Sequence, residues 1–102
     1  MQIEIRELRE ADIQALADIE AQTFSMPWSA RSFRILLENP YCFYFVALVD
    51  GRIVGGAGYT ELCGEANIDN VVVAQSYRAQ GIGQALLQAL IAHGEARRIA
   101  FA

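Results

Sequence analysis

Val71-Val72-Val73, then Tyr77-Arg78-Ala79-Gln80-Gly81-Ile82-Gly83-Gln84-Ala85-Leu86-Leu87, is the stretch whose reading decides the fold. An apolar β-branched run empties into a glycine-punctuated turn, and an amphipathic helix follows. Strand, turn and helix start in that order build an anion cradle. The glycines let backbone N–H groups approach a ligand closely, and the helix N-terminus adds partial positive charge. Arg78 places a full positive charge at the mouth of the turn. The combination calls for a ligand carrying a pyrophosphate.

Composition narrows the setting. At 102 residues the chain is read as one domain, and 54% hydrophobic residues argue for a packed core. A net charge of −4 without a basic stripe speaks against nucleic acid as a partner. Cys42 and Cys63 lack C-x-x-C spacing and histidine neighbours, so they read as reduced thiols, with no metal site, in a cytoplasmic protein. The N-terminus alternates apolar and charged residues, unlike a signal peptide, and no apolar run is long enough to span a membrane.

Outward from the turn, periodicity gives the elements. Ile3, Ile5 and Leu8 suggest a first strand, and Ala11 to Gln22 a helix that Ser25-Met26-Pro27-Trp28 breaks. Ser29 caps a second helix bearing Phe33, Leu36 and Leu37, which Asn39-Pro40 stops. Tyr41 to Val49 reads as a strand covered on both faces. Asp50-Gly51 is a hairpin turn, and Arg52 to Leu62 is the return strand. Gly55, Gly56 and Gly58 inside that strand mark a bulge or something packed close to the backbone. Cys63-Gly64 turns the chain into a strand from Glu65 to Val73, and a helix runs from about Gly83 to Arg97. Ile99 to Ala102 begins a further strand, which a crossover helix would deliver parallel to the strand before it. With so short a neighbour, the edge beside Val71–Val73 stays open or pairs with a second copy as a homodimer.

Three glycine-rich designs bind pyrophosphate. A Walker loop needs Lys-Ser/Thr after its last glycine, where Gln84-Ala85 stand. The dinucleotide fingerprint needs a third small residue, where Leu86 stands. What remains is R-x-x-G-x-G, formed by Arg78, Gly81 and Gly83, which resembles the acetyl-coenzyme A signature of the GNAT N-acetyltransferase superfamily. The element order is similar to the first two thirds of that fold. Met26-Pro27-Trp28-Ser29 and Ile68-Asp69-Asn70-Val71-Val72-Val73 further resemble the RimI-like ribosomal-protein-alanine N-acetyltransferases.

The resemblance implies a three-layer α/β/α domain over residues 1–102 with a mixed, mainly antiparallel sheet, truncated after the third helix. It also implies acetyl transfer from acetyl-CoA to an amine: a protein N-terminus, a ribosomal protein above all, or a small amine. Val71, Val72 and Val73 would hydrogen-bond the pantetheine arm and acetyl group. Ala79, Gln80, Gly81, Ile82, Gly83 and Gln84, with Arg78, would cradle the pyrophosphate. The glycines of the hairpin strand would give acceptor or cofactor room. In RimI-like enzymes the general base glutamate and general acid tyrosine follow the third helix, beyond Ala102.

Direct attack by the amine is expected, with neither cysteine placed as a nucleophile. It needs a base, oxyanion donors and an acid for the thiolate. Backbone N–H groups freed along Val71–Val73 are candidate donors. Glu65, Asp69 and Tyr77 are candidate acid–base groups, though carboxylates such as Glu65 and Asp69 are more often solvated ones on a strand face. Tyr59 and Tyr77 read as packing residues with their hydroxyls at the surface. Pro27 and Trp28 are either a helix stop or a wall of the acceptor site. His93 has no partner in the sequence and reads as structural, and Cys63 as an inert thiol. Two rival readings are a coenzyme A-binding chain without chemistry and an assembly unit that pairs its open edge.

Overall fold

The computed structural model describes residues 1–101. Five strands lie in sequence order across one sheet: β1 (Glu4–Glu7), β2 (Cys42–Val49), β3 (Arg52–Leu62), β4 (Glu65–Val73) and β5 (Ala100–Phe101). The first four pair antiparallel, and β5 joins β4 in parallel. Two helices, α1 (Ile13–Thr23) and α2 (Ala30–Glu38), cover one face, and α3 (Ile82–Ala96) covers the other. This is the three-layer, mainly antiparallel arrangement that the family resemblance implied.

Each layer follows from its residues. Ile13, Leu16 and Ile19 put one stripe of α1 inside, and Phe33 and Leu36 do the same for α2. The Ser29 hydroxyl accepts the Ser32 N–H at 3.1 Å and caps α2. Ile82, Leu86 and Leu90 pack α3 beneath Ala47, Val54 and Ala57. Asp50 and Gly51, then Cys63 and Gly64, take positive φ at both central positions of their turns, the left-handed pair that closes a two-residue hairpin. Helix boundaries shift by one or two residues from the expected ones. A short 3-10 turn over Glu10–Asp12 precedes α1, and α3 starts at Ile82 and not Gly83.

Two irregularities position the site. The β3–β4 register slips between Gly58 and Tyr59, so that Asp69 is an extra residue on β4. The β4–β5 ladder covers only Glu65 and Ala66, leaving residues 67–73 of β4 with a described strand neighbour on one side alone.

The room expected at the hairpin glycines is already filled. A Cβ on Gly56 would lie 2.6 Å from Tyr44 Cε1, and one on Gly58 would strike the same ring and lie 2.9 Å from the Phe43 carbonyl oxygen. A Cβ on Gly55 would lie 2.6 Å from the Val72 carbonyl oxygen. These glycines admit a tyrosine and a neighbouring strand of the same chain, not a ligand.

Candidate functional site

The end of β4 and Arg78 of the turn that follows it border one groove. Val71, Val72, Val73 and Arg78 line a groove of about 360 Å³, closed on its far side by Thr23 and Phe24 of the α1 end. Val72 turns its side chain into the core at 2% exposure, while the strand's outer backbone edge has no strand neighbour among the described residues. The Arg78 Nε donates to the Val73 carbonyl at 3.2 Å, which ties the turn to the strand end.

The turn between β4 and α3 is shaped by two left-handed residues, Ala79 at φ 61° and Gly81 at φ 84°. Gly81 is the N-cap of α3, and no side chain caps the helix. The first turn holds no acidic residue to compete for an anion. The Gly81 carbonyl accepts from the Ala85 N–H at 3.0 Å, so intrahelical pairing starts only there. Ile82 is 1% exposed and anchors the turn into the core. Nothing lies within 4 Å of a Cβ built on Gly81, and one on Gly83 meets only Val73 Cγ2 at 3.8 Å. A ligand phosphate therefore has both donors and space, and the residues fit the pyrophosphate of coenzyme A.

A polar network lies on the α1/α2 face of the same strand. The fully buried Glu20 accepts the Trp28 backbone N–H on Oε1 at 3.0 Å and the Asn70 Nδ2 on Oε2 at 2.7 Å. Asn70 Nδ2 also donates to the Tyr44 hydroxyl at 3.2 Å. Burial pushes the Tyr44 phenol well above its ordinary pKa. The Trp28 ring packs on Phe33 and Tyr44, with centroids 5.3 and 6.4 Å away. Two hollows flank Trp28. One, about 360 Å³, is lined by Glu20, Phe24, Ser25, Met26 and Asn70. The other, about 450 Å³, is lined by Ile35, Leu36, Cys42, Thr60 and Asp69 among others. Pro27 is exposed on the connection that carries Trp28.

The acid–base candidates are dispersed. Asp69 is exposed on the bulge and accepts the Thr60 hydroxyl, which also contacts Cys42 Sγ at 3.3 Å. Tyr77 is half-buried in a 3-10 turn just before the cradle. Glu65 is exposed at the opposite end of β4, roughly 26 Å from Val73 at a strand rise of about 3.3 Å per residue, and does not join them. The Tyr59 hydroxyl, expected at the surface, is buried on His93 Nδ1 at 2.7 Å, and burial raises its pKa. His93 thus has a partner, 34 positions away.

Residues 13–102 match the model of the acetyltransferase (GNAT) family. The chain belongs to the GNAT acetyltransferase family. This GNAT chain is 36% identical over 88 residues to a Bacillus subtilis protein. It is 31% identical over 96 residues to the [ribosomal protein bS18]-alanine N-acetyltransferase of Escherichia coli, covering 94% of this chain. It is 34% identical over 95 residues to the N-alpha-acetyltransferase RimI of Mycobacterium tuberculosis, covering 87% of this chain. The chain spans 58, 60 and 64% of the B. subtilis, M. tuberculosis and E. coli proteins respectively. The crystal structure of the E. coli ribosomal-protein-S18-alanine N-acetyltransferase superposes with a TM-score of 0.87 at 28% identity, over 96% of this chain and 63% of that one. At 18% identity, an N-acetyltransferase from Thermoplasma acidophilum solved with coenzyme A shares the fold with a TM-score of 0.85, over 97% of this chain and 76% of that one.

Glu20 is the site residue that sequence reasoning missed. The signal was present: Ile13, Leu16 and Glu20 fall at i, i+3 and i+7, which puts a carboxylate on the apolar stripe of α1.

Proposed function

We propose that this chain binds acetyl-CoA between the open edge of β4 and the start of α3, and transfers the acetyl group to the α-amino group of a protein N-terminus. A ribosomal protein is the favoured acceptor. The observation that carries this reading is the uncapped, glycine-shaped N-terminus of α3 lying beside a strand edge that, among the described residues, has no partner from Asn67 to Val73.

Bound acetyl-CoA supplies an activated thioester. The backbone N–H groups of residues 81–84 hold its pyrophosphate, with the Arg78 charge at the mouth. The free edge of Val71–Val73 aligns the pantetheine arm by strand-like pairing and offers an N–H to the developing oxyanion. Trp28 and Pro27 wall the acceptor side. Asp69, two residues along β4 from Val71, takes the amine proton through water, and Tyr77 beside the turn returns one to the departing thiolate. The relatives named for bS18-alanine acetylation support the acceptor class.

Calorimetry with acetyl-CoA beside a thiol-release assay on N-terminal peptides tests the reading. Binding with peptide-dependent thiol release is the expected result, and binding without release reduces the chain to a coenzyme A-binding unit. The open β4 edge favours a second reading, in which another copy pairs there. Sedimentation at high concentration giving a monomer removes it.

A further inference from the structure

We propose that Glu20 is a positioning residue, which ties the connection bearing Trp28 to the bulge of β4 and so fixes the acceptor wall against the strand. The proposal rests on the acceptor-site reading of Trp28 given above.

Glu20 spans three parts of the molecule. It stands in the last turns of α1, and its two carboxylate oxygens accept from the Trp28 backbone, 8 residues on, and from the Asn70 side chain, 50 residues on. Residues 24–29 between α1 and α2 form no helix or strand, and Phe24 and Met26 there are 40 and 89% exposed. The Trp28 ring is seated on Phe33 and Tyr44, but its backbone is fixed by Glu20. Asn70 is next to the extra residue of the bulge, where β4 starts its open run. The tie therefore joins the wall to the strand at the place where thioester and amine must meet. A buried carboxylate is a poor device for stability, since an apolar side chain of similar size packs there at lower desolvation cost. Its value here is geometric.

Glu20→Met keeps the volume and removes both acceptors. Glu20→Gln keeps one acceptor for Trp28, and its amide pairs with Asn70 once the Asn70 amide turns over. Trp28 is the sole tryptophan, so its fluorescence reports the segment directly. Glu20→Met should raise acrylamide quenching of Trp28 about twofold and the KM for an N-terminal peptide about tenfold, the scale of one or two lost hydrogen bonds. The KM for acetyl-CoA should stay unchanged, and Glu20→Gln should return both readouts close to the starting values. Asn70→Ser, which cuts the tie from the strand side, should move both readouts in the same direction and carries the test should Glu20→Met fail to fold. Wild-type quenching and peptide KM in Glu20→Met, or equal rises in both KM values, would overturn the proposal. A parent chain that releases no thiol but whose Trp28 loosens in Glu20→Met refutes the acetyl-transfer reading and leaves the tie standing.

Discussion

Two groups of glycines in this chain do opposite jobs, and the space around them tells which is which. On β3, the places where Gly56 and Gly58 lack side chains are filled by the Tyr44 ring, so the protein itself uses the gap. At the start of α3, no atom comes within 4 Å of a Cβ on Gly81, and Gly83 faces only Val73. The first pair is required by packing. The second pair leaves backbone donors bare beside β4, with Gly81 held at a φ of 84° that favours glycine.

The contrast can be broken by substitution. Gly58→Ala should cost about 3 kcal/mol, because the new methyl meets a tyrosine ring and a backbone carbonyl. Thermal unfolding should move down by roughly 15 °C for a domain of this size. The folded fraction should still bind coenzyme A normally. Gly81→Val has room but a φ of 84°, where a β-branched residue is strained by about 1–2 kcal/mol. It should lose coenzyme A affinity outright in calorimetry while the core still folds.

Asp12 is a control away from both groups. The Arg6 guanidinium, bonded to it at 2.7 and 3.0 Å, holds its carboxyl below the usual value, with help from the Arg9 backbone N–H. A depressed folded pKa means that the stabilisation is complete above the unfolded value of about 3.9 and drains as pH falls through it toward the folded one. Denaturant midpoints should therefore drop below about pH 4 in the parent chain and flatten in Asp12→Asn, which loses about 1 kcal/mol at neutral pH. Gly83→Ala should change stability least, by about 0.5 kcal/mol or less and in the favourable direction, since alanine is the better helix former. Its coenzyme A affinity should nonetheless fall about tenfold. Unaltered affinity in Gly83→Ala would erase the distinction between the two glycine groups.

The elements were legible because their signals are local. Asp50-Gly51 and Cys63-Gly64 named both hairpin turns, and the apolar stripes of the helices named their inner faces. The proposed cradle rests on equally local signals, since Arg78, Gly81 and Gly83 lie within one turn. Groups whose partners lie far along the chain were not. His93 finds Tyr59 only once α3 crosses the sheet, and Glu20 finds Asn70 only once the bulge turns that amide inward. The hairpin glycines were recognised as a close approach but assigned the wrong visitor. Tyr44 faces Gly58 across the strand pair, a register that the sequence shows only after the turn is counted through the slip between Ala47 and Leu48.

The central claim is that bare backbone amides at the α3 start and along the open β4 edge hold the cofactor. Titrating isotopically labelled protein with coenzyme A, and following each backbone amide by NMR, tests it directly. The amides of residues 81–84 and 71–73 should shift together and saturate with one dissociation constant. Saturable binding that leaves those amides in place and moves others would contradict the account.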